Sequence, residues 1–117
     1  MNNKEFSKLL EKRTRDFGVR IIRLSASLPN TPEGREIRRQ ITKSGTSIGA
    51  NYREANRARS KADFKSKIRI CEGEASETQY WLEMIVEVGW SSKEEVKFEF
   101  KECGELLAIF TSISGKW

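Results

Sequence analysis

The chain has 117 residues, of which 33% are charged and 37% hydrophobic, with 22 Lys/Arg against 17 Asp/Glu and no histidine. That length suits one domain over residues 1–117 with its own core, and no apolar run approaches the ~20 residues needed to span a bilayer. Without histidine the commonest general base and transition-metal ligand are missing, and two cysteines alone cannot build a structural zinc site.

No P-loop, G-x-G-x-x-G or G-x-S-x-G is present either, so the chain is read as a non-enzyme with no cofactor and no metal. The first residues, MNNKEFSKLLEKRTRD, contain no apolar stretch of signal type, which points to a cytoplasmic address and no membrane partner.

Four amphipathic helices follow in chain order. The first is predicted over about 3–28, with Phe6, Leu10, Phe17, Ile21, Leu24 and Leu28 on one face and Lys8, Lys12, Arg15 and Arg23 outside. The turn LPNTPEG ends it, because Pro29 and Pro32 disfavour helix in the residues before them and Gly34 loosens the chain. Thr31-Pro32 also fits an N-cap followed by Pro at the first helical position, which would start the second helix earlier.

Helix two, about 34–58, carries the most informative pattern. Ile37, Ile41, Ser44, Ile48, Tyr52 and Ala55 share one face, while Arg35, Arg39, Lys43, Arg53 and Arg57 fall opposite within roughly 80°. Together with Arg38 these cations form the candidate phosphate-binding set. Gly45 and Gly49 make a G-x-x-x-G, read as close approach of a neighbouring helix because the surroundings are too polar for a membrane dimer. Ser44, Ser47, Asn51 and Glu54 run along one edge of the apolar face. They either form a hydrogen-bonded seam between helices, as buried polar groups normally do, or line a site.

Helix three is predicted over about 61–88, opened by Ser60-Lys-Ala-Asp63 as a capping box with the shorter acid. Phe64, Ile68, Cys71, Ala75, Leu82 and Val86 make its core stripe. A second apolar line, Ile70, Trp81, Met84 and Val88, lies on the other side beside Gly73 and Tyr80. A helix apolar on two sides is buried on two sides, so this line is the predicted contact with another subunit.

Helix four, about 93–114, opens with Ser92-Lys-Glu-Glu95 as S-x-x-E. Val96, Phe100, Cys103, Leu107 and Phe110 point inward, Leu106, Ile109 and Ile113 widen the apolar surface, and Gly115 is a natural stop. Trp117 either folds back or touches a neighbour. Cys71 and Cys103 fall in apolar stripes at different heights of a hairpin turning near 89–92, which makes them structural thiols rather than a disulfide. Short connections between four helices give an all-α, antiparallel up-down-up-down bundle.

Charge is unevenly divided. Residues 1–59 hold 14 Lys/Arg against 6 Asp/Glu, a balance of +8, and residues 60–117 hold 8 against 11, a balance of −3. The asymmetry serves either an anionic partner or contact between the basic half of one copy and the acidic half of another.

The segment from Leu28 to Ile85 resembles the bacterial four-helix-bundle proteins called 23S rRNA intervening-sequence proteins. The matching elements are Gln40, Ser44, Ser47-Ile48, Asn51, Glu54-Ala55, Arg59-Ser60, Phe64, Lys67, Glu74, Glu77-Thr78 and Tyr80-Trp81-Leu82. The resemblance implies a cytoplasmic bundle assembling as a ring-like homopentamer, with no catalytic residues to carry over. It also implies a likeness in fold to the accessory protein of diversity-generating retroelements, which binds nucleic acid and a reverse transcriptase.

Three functional readings follow. The first is an oligomer that binds nucleic acid, structured RNA or an RNA–protein complex, by neutralising phosphates with Arg35, Arg38, Arg39, Lys43, Arg53 and Arg57. The second is a pentameric scaffold that docks a protein partner. The third, a nuclease using Glu54, Glu74 and Glu77 around a metal, is disfavoured because bundle di-metal sites use Glu-x-x-His pairs.

Overall fold

Each of the first three helices starts at a side chain that accepts a hydrogen bond its first turn would otherwise leave open. The computed structural model describes residues 2–117, and among them lie α1 (Asn3–Ala26), α2 (Pro32–Ala55), α3 (Lys61–Glu87) and α4 (Lys97–Ser114). Asn2 Oδ1 accepts from the Glu5 backbone N–H at 2.8 Å, Thr31 Oγ1 from Gly34 at 3.0 Å, and Ser60 Oγ from Asp63 at 3.0 Å.

The helix limits correct the sequence reading where local chemistry met tertiary packing. Pro32 is the first residue of α2, so that helix starts two residues before the expected Gly34. Gly34 does not loosen the chain: it is buried in the first turn, where a Cβ would lie 1.9 Å from the Pro29 carbonyl oxygen. The helix ends at Ala55 rather than 58, its last turn tightening as Arg57 N–H bonds Glu54 O and Ala58 N–H bonds Ala55 O. α1 ends at Ala26 rather than 28 and α3 at Glu87 rather than 88.

The largest difference is at α4, which begins at Lys97 instead of 93. The Ser92/Glu95 box does form, with Ser92 N–H donating to Glu95 Oε1 at 2.8 Å and Glu95 N–H to Ser92 Oγ at 3.2 Å. It closes a turn and no more. Val96 is fully buried and non-helical at φ −108°, ψ 16°, and the flanking backbone bonds stretch to 3.3 and 3.4 Å. Anchoring Val96 in the core outweighs one extra turn of helix.

The four helices alternate in direction. α2 packs on both α1 and α3, α3 packs on α4, and α4 rests more lightly on α1, which closes the ring. The 27 residues of α3, at about 1.5 Å each, account for most of the 43 Å long axis. Its buried positions are Ile68, Cys71, Ala75, Thr78, Leu82 and Ile85, alternating three and four apart as a seam between helices requires. Ile85 therefore takes the place expected for Val86, which is only half-buried. By the same logic Leu106, not Leu107, is the fully buried leucine of α4, and Phe6 stays exposed.

Phe17, Ile21, Ile41, Ile48, Leu82 and Phe110 complete the centre, each contributing roughly 1.5–3 kcal/mol by burial. Tyr52 meets Phe110 edge-on at 5.6 Å. Both thiols are free and buried, and desolvation pushes each up to about 12. Cys71 Sγ donates to Ile48 O and Cys103 Sγ to Ala75 O, which uses their only donors inside the bundle.

Gly45 and Gly49 receive α1. A Cβ on Gly45 would lie 2.7 Å from Ile21 Cγ2, and one on Gly49 3.2 Å from Thr14 Oγ1. Among the described residues no helix is long and apolar enough to cross a membrane.

Candidate nucleic-acid interface

With α2 held between α1 and α3, its third side faces out along the bundle. The six cations assigned to that side have different surroundings. Arg35 is exposed and tethered to the preceding turn, donating to Asn30 Oδ1 at 3.2 Å. Arg38 is half-buried, so it sits apart from the outward row. Arg39 donates to Glu36 Oε1 at 2.7 Å, and Arg39 together with Gln40 holds the Glu36 carboxyl below the usual carboxylate range.

Lys43, Arg53 and Arg57 are exposed and, among the described residues, make no salt bridge. Ten residues separate Lys43 from Arg53, about 15 Å of helix, and Thr46, Ser47 and Ala50 fill that interval. The row is thus two cationic stations with a neutral waist between them. Beside the waist, Glu11, Arg15, Val19, Ile22 and Arg53 border a groove of about 300 Å³ between α1 and α2, floored by Gly18 and Gly49.

The polar edge of α2 divides in two. Thr78 Oγ1 lies 2.8 Å from Ser44 Oγ in the interior, a hydroxyl pair tying α3 to α2. Ser47 and Asn51 instead bond carbonyls of their own helix, at Lys43 and Ser47. Glu54 meets Lys67 at 3.8 Å. Glu74 lies at this edge with one carboxylate oxygen buried and unpartnered. Desolvation and then the nearby Glu77 raise its carboxyl, while Lys43 and Ser47 pull it down. Among the described residues no three acidic, Cys or His side chains gather closely enough to hold a metal, Glu54, Glu74 and Glu77 included.

The line expected to meet another subunit is partly open. Ile70 is 40% and Val88 52% exposed, while Trp81 and Met84 are half-buried. Met84 and Val88 join Pro32, Ile37, Ile85 and Trp90 in an apolar groove of about 570 Å³, with Glu33 and Glu36 at its border. The Trp81 indole N–H is buried with no acceptor. Ile70 lies some way along the helix from this groove.

A second cationic centre escaped the sequence reading. Arg59, Lys61, Lys65 and Lys116 surround a pocket that also holds Phe64 and Trp117. The signal was present as Lys61, Lys65 and Arg69, four residues apart on one helix face. Only the return of Trp117 onto Phe64, with ring centroids 6.4 Å apart, turns that row into a site.

Residues 9–112 match the family described as 23S rRNA-intervening sequence protein. The chain belongs to that family. A crystal structure of a protein of unknown function from the S23 ribosomal protein family of Bacteroides thetaiotaomicron has the same fold, with a TM-score of 0.85 and 36% identity. The match covers 93% of this chain and 97% of that one. No curated protein matches. The family is thus one of rRNA-associated name, and neither description assigns it an enzymatic activity.

Proposed function

We propose that this protein is a non-enzymatic, cytoplasmic bacterial RNA-binding protein that works as a homo-oligomer. The observation that carries the reading is the fate of the α2 cations: Lys43, Arg53 and Arg57 are exposed and, among the described residues, none of them makes a salt bridge. Arg35, Arg38 and Arg39 complete the phosphate-contacting set once RNA competes for their local partners. The family's association by name with 23S rRNA makes structured RNA the first polyanion to test. Such binding tolerates sequence and falls steeply with salt, with a log–log slope of about −0.7 to −0.9 per phosphate.

The assembly we favour is the pentamer implied by the family resemblance, with Ile70, Trp81, Met84 and Val88 in its contacts. The exposure of Ile70 and Val88, 40% and 52%, supports this, since apolar side chains left in water gain by burial against a neighbour. Five copies would multiply weak phosphate contacts through effective concentration.

The test is fluorescence anisotropy of a labelled RNA hairpin at low and near-physiological salt, with mass measured in solution alongside. Salt-sensitive binding that collapses in a variant with Arg39, Lys43, Arg53 and Arg57 changed to Ala is the expected result. A stable monomer would defeat the assembly, and no binding at either salt would defeat the RNA reading. The apolar groove at Met84, Val88 and Trp90 then favours a second reading, a scaffold that docks a protein partner.

A further inference from the structure

At the end of the bundle where α2 gives way to α3, the chain builds a concavity of about 630 Å³, within the range of small-molecule sites. Arg59, Lys61, Lys65 and Lys116 line it together with Phe64 and Trp117, and among the described residues no acidic side chain does. The Trp117 ring is held in place on several sides. Phe64 meets it edge-on, Lys65 Nζ lies 5.5 Å from its centroid, and Arg69 Cζ lies 5.2 Å away. It nevertheless remains 39% exposed.

An aromatic ring ordered by cations and still open to solvent is a stacking platform whose orientation costs little further entropy. The four cations draw phosphate to the same place, and α3 starts at Lys61 with the positive end of its dipole there. Arg57, in the turn just after α2, is two residues from Arg59, so the outward row leads to this pocket. A π-face needs an unstacked base, and the surrounding charges need its phosphates.

We propose that this pocket captures an unpaired nucleotide of an RNA strand, the base stacking on Trp117 and the flanking phosphates lying against Arg59, Lys61, Lys65 and Lys116. The inference rests on the RNA-binding reading and adds to it a single-strand site distinct from the α2 row. It makes the protein a reader of junctions between paired and unpaired RNA, with the row on the backbone and the pocket on the loose end.

The test is titration of an eight-residue oligouridylate into the full chain, following tryptophan emission and the anisotropy of the labelled oligomer. Quenching is expected in the native protein, and Trp117→Leu should remove it and weaken binding roughly tenfold. Lys61→Ala, at an exposed position that leaves the fold intact, should lower the salt slope by about 0.7. A polyglutamate peptide, which supplies charge without bases, should neither quench nor compete at equal charge concentration. Equal affinity of Trp117→Leu and native protein for oligouridylate, an unchanged slope in Lys61→Ala, or equal quenching by polyglutamate overturns the pocket. If the hairpin still binds through Lys43, Arg53 and Arg57, the pocket alone has failed. If neither RNA binds, both readings fall.

Discussion

Arg13 and Arg20 on α1 and Lys43 and Arg53 on α2, with Arg57 in the turn that follows, are alike in charge, yet the fold treats them in opposite ways. Arg13 donates to both oxygens of Glu102, at 2.7 and 2.8 Å, and also reaches Glu105. These carboxylates raise its pKa above the ordinary guanidinium value. Arg20 lies 3.2 Å from Glu99 and stacks over Phe98 at 3.9 Å. Because α4 touches α1 only lightly through its helix body, these pairs close the bundle where apolar packing is thin. Part of the charge asymmetry between the two halves of the chain is therefore neutralised within one molecule. Lys43, Arg53 and Arg57 make no such pair among the described residues, and only Lys43 stands near enough to an α3 acid, Glu74, to lower its carboxyl. A basic count says little about binding until the fold shows which charges are already satisfied.

The strongest way to break this contrast is to remove the free set. Lys43, Arg53 and Arg57 changed together to Ala should flatten the RNA salt slope by about 2–3, one step per lost phosphate contact. Thermal unfolding should barely change. An unaltered slope would mean that these cations are as idle as a solvated surface.

Arg20→Ala should do the reverse. It strands Glu99, which is 8% exposed and already has one oxygen without a partner. Stability in urea should fall by about 1–3 kcal/mol, with the RNA salt slope unchanged. Glu99→Gln in the same chain should recover part of the loss. A change in RNA slope without a change in stability would reverse the roles assigned to the two helices.

A smaller effect sharpens the comparison within α2 itself. Glu36→Gln releases Arg39 from its paired acid, and the salt slope should steepen by about 0.7–0.9, one further contact. No change would show that this exposed pair never restrained Arg39.

The smallest expected effect concerns pH. Burial, then Glu77, raises the Glu74 carboxyl, so the folded protein holds that proton to higher pH than the unfolded chain. The stability associated with the proton is full below the unfolded value of 4.5 and declines as pH rises through the raised folded value. Glu74→Gln removes this decline, and its advantage over the native chain should be larger at pH 7 than at pH 4 in paired urea titrations. An equal difference at both pH values would assign Glu74 an ordinary surface carboxylate.

Four helices, their order and their inner faces were legible because periodicity is a local property. Leu10, Phe17 and Ile21, or Ile41, Ile48 and Tyr52, can be recognised with no knowledge of what they meet. The G-x-x-x-G was also readable as a close approach, although only the fold names Ile21 and Thr14 as its counterparts. Small errors arose where two local signals competed. Ser92-x-x-Glu95 is a sound helix start by its own chemistry, and burial of Val96 overrode it. Val86 and Leu107 were sound core residues by period, and the side on which each neighbour packs selected Ile85 and Leu106 instead.

The candidate site was legible only as a set of cations. Sequence by itself determined that α2 would carry an outward row from Arg35 to Arg53, because side-chain direction on a helix follows from 100° per residue, whereas Arg57 falls beyond the end of α2. Which members of that row stay unneutralised was decided by tertiary structure, since an ion pair depends on the helix standing opposite. The same holds for the pocket at Trp117. Lys61 and Lys65 share one face of α3 and, with Arg59 and Lys116, can be counted in the sequence, but a ring and a helix more than forty residues apart form a site only once the chain has returned on itself.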